Sequence, residues 1–134
     1  MNAFSLKIVT PDGLEFDGQA EELIVRSTTG DIGILAGHVN CVAPLGMGRA
    51  TIITDGVKRY AACIGGMVSV VNGHVNLVPT TFEWADRIDT ARAEASYQRA
   101  KQVLSRKDAS DTDIRLAEAR LRRALVRKSV AATK

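Results

Sequence analysis

Residues that interrupt helices are confined to one part of this chain, and that confinement limits what it can fold into. All eleven glycines and all three prolines occur at or before Pro79. Up to that point, short apolar stretches alternate with turn residues. Beyond it the sequence consists of helix-forming residues without a break. We therefore predict a β-rich body over residues 1–84 and a helical segment over residues 85–134.

The charge changes at the same boundary. Residues 1–82 carry five Lys and Arg against seven Asp and Glu, a net charge of −2, and residues 83–134 carry thirteen against eight, a net charge of +5. No stretch approaches the roughly 18 apolar residues of a membrane span, and the first residues lack the pattern of a signal peptide. We expect a cytosolic protein that does not insert into a membrane.

Alternation of apolar and polar residues predicts short strands along the body. Phe4, Leu6 and Ile8 are expected to face a core. The dipeptides Asp55-Gly56 and Asn72-Gly73 each separate two such stretches, and they supply the positive φ angles of tight hairpin turns. About nine short strands are too many to bury a core as one flat sheet, so a β-sandwich or a flattened barrel is predicted.

Neither the cysteines nor the histidines form a recognisable site. Cys41 and Cys63 have no metal-ligand spacing, and we predict two buried apolar side chains, with neither a disulfide nor a metal site. His38 and His74 have no Ser, Cys or carboxylate partner by spacing, so no catalytic residues are predicted and a free-standing enzyme is disfavoured.

Two amphipathic helices are predicted in the basic segment. Their apolar seams recur at steps of three and four residues and comprise Ala93, Tyr97, Ala100 and Leu104, then Ile114, Ala117, Leu121 and Leu125. Asp86 or Asp89 can cap the first helix, and Ser110 or Asp111 the second. The short polar connection favours an antiparallel hairpin. Because an alanine-rich seam buries little apolar surface, the hairpin is expected to be only marginally stable.

A second row of residues follows each helix beside its seam. The rows are Asp89, Arg92, Ser96 and Arg99, then Leu116, Arg120, Arg123 and Arg127. In a hairpin the two rows could converge on one anion, and guanidinium groups suit phosphate oxygens. A solvated basic face is the alternative. A nucleic-acid-binding module is a further alternative, although only Tyr97 of the six aromatic residues lies in the helices to stack on bases.

Four motifs occur in order along the chain. They are Val9-Thr10-Pro11-Asp12-Gly13, then Gly30-Asp31-Ile32-Gly33-Ile34-Leu35-Ala36-Gly37-His38, then Gly65-Gly66, and finally Ile88-Asp89-Thr90-Ala91-Arg92-Ala93. Together they closely resemble the epsilon subunit of bacterial F-type ATP synthase, and the last resembles that family's I/L-D-x-x-R-A nucleotide motif. The chain departs from the family at Ala36, where proline is usual, and at Asn40-Cys41, where Pro-Leu is usual.

The resemblance implies an α+β fold with a ten-stranded N-terminal β-sandwich and a C-terminal antiparallel two-helix hairpin. The sandwich would bind the gamma stalk subunit and the membrane c-ring. A loop over Gly30–His38 would face the ring, with Asp31 and His38 as its polar contacts. A His38 satisfied within its own loop is the alternative.

The same resemblance implies a regulatory role without chemistry. The subunit would couple the stalk to the ring of a proton-translocating ATP synthase, on the cytoplasmic face of the bacterial membrane. Its helices would extend to the alpha and beta subunits of the catalytic head and inhibit ATP hydrolysis there, and their basic charge has the right sign for acidic partner segments.

In some family members the folded hairpin binds ATP as a regulatory ligand, and no other cofactor or metal is implied. Carried over by position, the ligands would be Glu83, Asp89, Arg92, Arg99, Arg123 and Arg127. The carboxylates would hold the base and the sugar, and the arginines the phosphates. Arg120 or Arg122 is an alternative on the second helix, since the connection is expected to be one residue longer here. The chain has no phosphate-binding Gly-rich loop, so the site would sense ATP without hydrolysing it.

Overall fold

Ten strands are followed by two α-helices in a computed structural model, which describes residues 2–133. The strands are β1 (Phe4–Thr10), β2 (Gly13–Ala20), β3 (Glu22–Ser27), β4 (Gly30–Leu35), β5 (Cys41–Pro44), β6 (Met47–Thr54), β7 (Val57–Ile64), β8 (Met67–Val71), β9 (His74–Val78) and β10 (Thr81–Trp84). A 3₁₀ turn, Ala85–Arg87, leads to α1 (Thr90–Ser105) and α2 (Asp111–Ala131). The predicted α+β fold, a ten-stranded sandwich followed by a helical hairpin, is confirmed.

The strands form two five-stranded sheets with the core between them. The first sheet has the order β2-β1-β9-β8-β5 and the second the order β10-β7-β6-β3-β4. Phe4, Leu6 and Ile8 of β1 all point into the core, as their alternation predicts, and they pack in one cluster with Leu23 and Val25 of β3. Face-to-face packing of this kind lets each strand bury alternate residues.

Both predicted hairpin turns are present. Asp55 and Gly56, between β6 and β7, have φ angles of 51° and 76°, and Asn72 and Gly73, between β8 and β9, have φ angles of 49° and 81°. In both turns the residues on either side of the dipeptide are paired across the two strands. Two consecutive positive φ angles match the right-handed twist of the flanking strands, which is why these dipeptides specify hairpins.

The predicted loop over Gly30–His38 is wrong for most of its length. Gly30–Leu35 is strand β4, which pairs along its whole length with β3 at the edge of the second sheet. Its Ile34 is fully buried, and the Ser27 hydroxyl shapes the preceding turn by donating to the carbonyl of Gly30 at 2.6 Å. The glycines suggest a loop, but the buried isoleucine between them gives the segment an inward face that a strand can use.

The two cysteines differ in burial. Cys63 of β7 is 3% exposed, as predicted, whereas Cys41 of β5 is only half-buried because its strand lies at a sheet edge. Both thiols are free. Burial raises the pKa of the Cys63 thiol to about 12, so its reactive thiolate form is scarce near neutral pH.

We therefore expect iodoacetamide to label Cys41 and to leave Cys63 unmodified in the folded protein. Mass spectrometry of peptides from the labelled chain measures both positions at once. A Cys41→Ser variant should take up label only after denaturant is added. Labelling of Cys63 at a rate similar to that of Cys41 under native conditions would contradict the burial of Cys63.

The C-terminal end of α2 packs against the second sheet. Val130 and Ala131 form a small buried cluster with Ala62 of β7 and with Ala85 and Ile88, which lead into α1. This cluster fixes the end of α2 against β7 and against the segment that leads into α1. Within residues 2–133, neither helix has the length and apolar character needed to cross a bilayer.

Candidate functional site

Capping residues fix where both helices begin. Asp89 caps α1, and its carboxylate accepts a hydrogen bond from the backbone N–H of Arg92 at 3.0 Å. Ser110 caps α2 and forms a reciprocal pair with Asp113, with N···O distances of 3.1 and 3.3 Å. Of the predicted alternatives, Asp89 and Ser110 are therefore the caps. Asp89 and Asp113 also place carboxylates at the positive ends of the two helix dipoles.

The seam between the helices is made mainly of alanines. The residues that the hairpin buries along it are Ala93, Ala100, Ala117 and Ala124. Tyr97 and Leu104 are half-buried beside them, as predicted. Leu125 is a wrong prediction, because it is 44% exposed and Ala124 lies in the seam instead. Successive residues are rotated by about 100° around a helix axis. Because Ala117 and Ala124 lie in the seam, Leu125 is rotated away from it and faces outward.

A groove of about 1070 Å³ runs along the hairpin and reaches the end of β10. Every member of both predicted rows lines it: Asp89, Arg92, Ser96, Arg99, Leu116, Arg120, Arg123 and Arg127. All six residues carried over from the family resemblance line it too, since Glu83 completes that set. The hairpin thus brings the two rows together around one space.

The groove carries an excess of positive charge. Seven arginines and three carboxylates line it, which leaves four positive charges over. Among residues 2–133, Arg127 alone of those seven arginines has a carboxylate within 4.0 Å. The pairs along each helix that the solvated-face alternative expects are therefore missing from the groove. Unpaired guanidinium groups that line one concave surface focus a positive potential, which attracts anions.

The one paired arginine joins the hairpin to the sandwich. The Nε of Arg127 on α2 donates to Oε1 of Glu83 on β10, and the two side chains are 27% and 33% exposed. The next residue, Lys128, joins α2 to α1, because its Nζ lies 2.5 Å from Oε2 of Glu94 and 4.2 Å from the centre of the Tyr97 ring. The end of α2 is thus held by polar contacts on two sides.

The carboxylate of Glu94 is favoured in its charged form. The hydrogen bond from Gln98, at 2.9 Å, and then the contact with Lys128 lower the pKa of Glu94 below its ordinary value. These contacts lie on the exposed side of the hairpin, so they contribute less than a buried pair would.

The structure separates the two alternative arginines of α2. Arg120 lines the groove of the hairpin, on the same side as Arg123. Arg122 instead lines a smaller groove of about 420 Å³ between α2 and the sandwich, together with Arg26. Of the two, Arg120 alone is placed to contact a ligand in the groove.

Asp31 and His38 lie in the β3–β4 region of the sandwich. Asp31 is on β4, and its Oδ1 is 2.7 Å from Nε of Arg26 on the neighbouring strand. His38 follows β4, and its Nδ1 is 2.8 Å from the carbonyl oxygen of Val39. That local contact agrees with the alternative offered for His38. Contact of either residue with a ring stays a prediction.

Several residues that line the groove were missed by sequence reasoning. They are Arg87, Gln102, Val103, Arg106 and Asp113. Arg106 had a signal, since Arg92, Arg99 and Arg106 are spaced by seven residues, which is two helical turns. Across residues 2–133, no three His, Cys, Asp or Glu side chains are grouped so that they could hold a metal ion.

Comparisons with protein families cover nearly the whole chain. Residues 3–85 match the family described as "ATP synthase, Delta/Epsilon chain, beta-sandwich domain", and residues 86–132 match "ATP synthase, Delta/Epsilon chain, long alpha-helix domain". The chain is 42% identical over 132 residues to the ATP synthase epsilon chain of Ruminococcus albus, covering 98% of both. It is 44% identical over 115 residues to that of Bacillus subtilis, covering 86% of each.

Solved structures with the same fold have low sequence identity. A chain of the Euglena gracilis mitochondrial ATP synthase, in a structure of its OSCP, F1 and c-ring, matches with a TM-score of 0.84 at 19% identity, covering 98% of this chain and 82% of that one. A chain from the central stalk and c-ring of the Tetrahymena thermophila enzyme matches with a TM-score of 0.66 at 12% identity, covering 95% of each. These two likenesses concern the fold.

Proposed function

Because the chain belongs to the ATP synthase delta/epsilon family, as an epsilon chain of the F-type enzyme, we propose that it is a non-catalytic regulatory subunit of the central stalk. The match of both its segments to that family, and 42% identity to an epsilon chain over nearly its full length, support this role. Its sandwich binds the gamma subunit and the c-ring and so couples the stalk to proton flow. It acts peripherally, on the cytoplasmic face of the bacterial membrane.

The hairpin is the regulatory part of the proposed function. In one state it is closed, as in this structure, and in the other its helices extend to the alpha and beta subunits and inhibit ATP hydrolysis. The alanine seam supports two states, because the transfer free energy is about 25 cal/mol per Å² and alanines bury little area. A small bias is then enough to shift the equilibrium.

The groove binds ATP in the closed state and so opposes inhibition. The observation that carries this proposal is the meeting of Glu83, Asp89, Arg92, Arg99, Arg123 and Arg127 around one groove with four excess positive charges. Asp89 lies at the end that would hold the base and the sugar. The guanidinium groups of Arg92, Arg99 and Arg123 can each form forked hydrogen bonds to phosphate oxygens.

ATP binding of this kind has a predictable energetic effect. A ligand that binds only the closed state stabilises it by RT ln(1 + [ATP]/Kd), which is about 2.7 kcal/mol at a hundredfold excess over Kd. That amount shifts the ratio of the closed to the extended state about a hundredfold. It is enough to tip a marginal hairpin and small enough to be reversed when ATP falls.

We predict that Arg92→Ala or Arg123→Ala abolishes the ATP-dependent compaction of the isolated full chain. Each substitution removes one guanidinium group from the phosphate site and leaves the sandwich core untouched. Small-angle X-ray scattering with and without ATP measures the compaction, and circular dichroism checks that the sandwich is folded.

The matched control is Arg115→Ala, which removes an exposed arginine of α2 that lies outside the groove. This variant should compact with ATP as the unmutated chain does. Identical scattering of the unmutated chain with and without ATP would contradict the proposed ATP sensing.

A further inference from the structure

Arg127 is engaged with a partner that a phosphate ligand would have to displace. Its guanidinium group is bound to the Glu83 carboxylate, and both side chains are about two-thirds buried. The apolar cluster of Val130 and Ala131 lies one turn further along α2 and holds the same end of the helix to the sandwich. The ion pair and the cluster therefore act on one place, the junction between the end of α2 and the sandwich.

Transferring Arg127 to a phosphate would be unfavourable. The Glu83 carboxylate would lose its charge-assisted hydrogen bond while partly buried, and leaving a charged group of that kind unpaired is unfavourable. The carboxylate would also face a polyanionic ligand at short range, and like charges repel. Both effects favour keeping the pair intact when a ligand binds.

The position of Arg127 along the hairpin also argues against a contact between Arg127 and the phosphates. The connection between the helices comprises residues 106–110. Asp89 lies seventeen residues before the first residue of this connection, and Arg127 lies seventeen residues after the last residue of the connection. In an antiparallel hairpin the two are therefore level, at the end proposed for the base and the sugar.

Arg120 lies nearer to the connection and is available. It comes ten residues after the connection, between the levels of Arg99 and Arg92, which come seven and fourteen residues before it. It is one helical turn from Arg123 and lines the same groove. Its side chain is exposed, and within the described chain no carboxylate lies within 4.0 Å of it.

We propose that Arg120 belongs to the phosphate site together with Arg92, Arg99 and Arg123, and that Glu83 and Arg127 form a clasp that fastens α2 to the sandwich without contacting the ligand. This assignment rests on the proposed binding of ATP. It gives two residues of the carried-over set a different role in this chain, and it adds a ligand that lies outside that set.

Titration calorimetry of full-length variants with ATP tests the assignment. Arg120→Gln should weaken ATP binding about tenfold to a hundredfold, and Arg123→Gln should do the same, because hydrogen bonds to charged groups contribute about 1.5–3 kcal/mol. The charge-exchanged variant Glu83→Arg with Arg127→Glu should bind ATP within about threefold of the unmutated chain, since it rebuilds the clasp. Arg115→Gln is the control and should change nothing.

Hydrogen exchange of the α2 amides without nucleotide is a second readout. It tests the Glu83–Arg127 clasp independently of ATP binding. Arg127→Gln should speed the exchange of amides near the end of α2, and the charge-exchanged variant should restore their protection. Loss of ATP affinity in the charge-exchanged variant, with unchanged affinity in Arg120→Gln, would overturn the assignment and make Arg127 the ligand. If the unmutated chain does not bind ATP, the proposed function and the role of Arg120 both fail, while hydrogen exchange still decides the clasp.

Discussion

Gly66→Ala is expected to leave the chain largely unfolded. Gly66 follows β7 with a φ angle of +92°, and a Cβ atom there would lie 2.1 Å from the carbonyl oxygen of Val78 and 2.6 Å from the Cα of Pro79. Both are backbone atoms, so neither can swing away as a side chain would. The carbonyl of Gly66 also accepts a hydrogen bond from the N–H of Leu45 at 2.8 Å, which ties this crossing to a third segment.

The expected loss is more than about 4 kcal/mol, in the range of mutations that combine a clash with a forbidden backbone conformation. A domain with about 5–15 kcal/mol of stability has little left after such a loss. Thermal unfolding followed by circular dichroism measures it. Gly33→Ala is the control, since that glycine has no positive φ and nothing within 4 Å of the added methyl group. An unchanged melting temperature for Gly66→Ala would contradict the close approach of the two backbones.

Features set by neighbouring residues were predictable from the sequence. The two hairpin turns need only a dipeptide with positive φ angles, and the helix caps need only one side chain at the right place. The convergence of the two arginine rows also follows from helical periodicity and a short connection. In each case the interaction that decides the structure acts over a few residues.

Features set by distant partners were not predictable. Strand β5 includes Pro44 and pairs only with β8, so its place at a sheet edge depends on a strand that is distant in the sequence. Strand β4 contains two glycines, although its partner β3 comes directly before it. Their own residues are ambiguous, because propensity for strands depends on the context. The two glycines of β4 explain why the predicted loop was too long, since glycine is uncommon inside strands.

Within the site, the role of Arg127 likewise could not be predicted from the sequence. Helical periodicity places it in the row, but its partner Glu83 is 44 residues away on β10. Arg122, only five residues earlier, faces a different groove because the docking of α2 on the sandwich sets which side is covered. A sequence pattern can place a charged residue on a helix face. Only the tertiary structure shows which of these residues is paired within the protein and which is available to bind a ligand.

Ala100→Leu is expected to strengthen inhibition of ATP hydrolysis in the assembled enzyme. Ala100 is buried in the seam of the closed hairpin, and a larger side chain there would force the helices apart at a cost of about 1–3 kcal/mol. That cost shifts the balance about fivefold to a hundredfold toward the extended state. In the proposed mechanism the extended state inhibits, so hydrolysis should fall below that of the unmutated complex, and ATP should relieve it less.

Removal of residues 88–134 should have the opposite effect and raise hydrolysis, because no helix remains to extend. Ala95→Leu is the matched control, since it makes the same substitution at an exposed position of α1 and should leave the rate unchanged. The two variants should change the rate of ATP hydrolysis in opposite directions. This result distinguishes a change of conformation from damage to the helices, because damage would make Ala100→Leu behave like the deletion. Increased hydrolysis in both variants would show that the extended hairpin is not the inhibitory state.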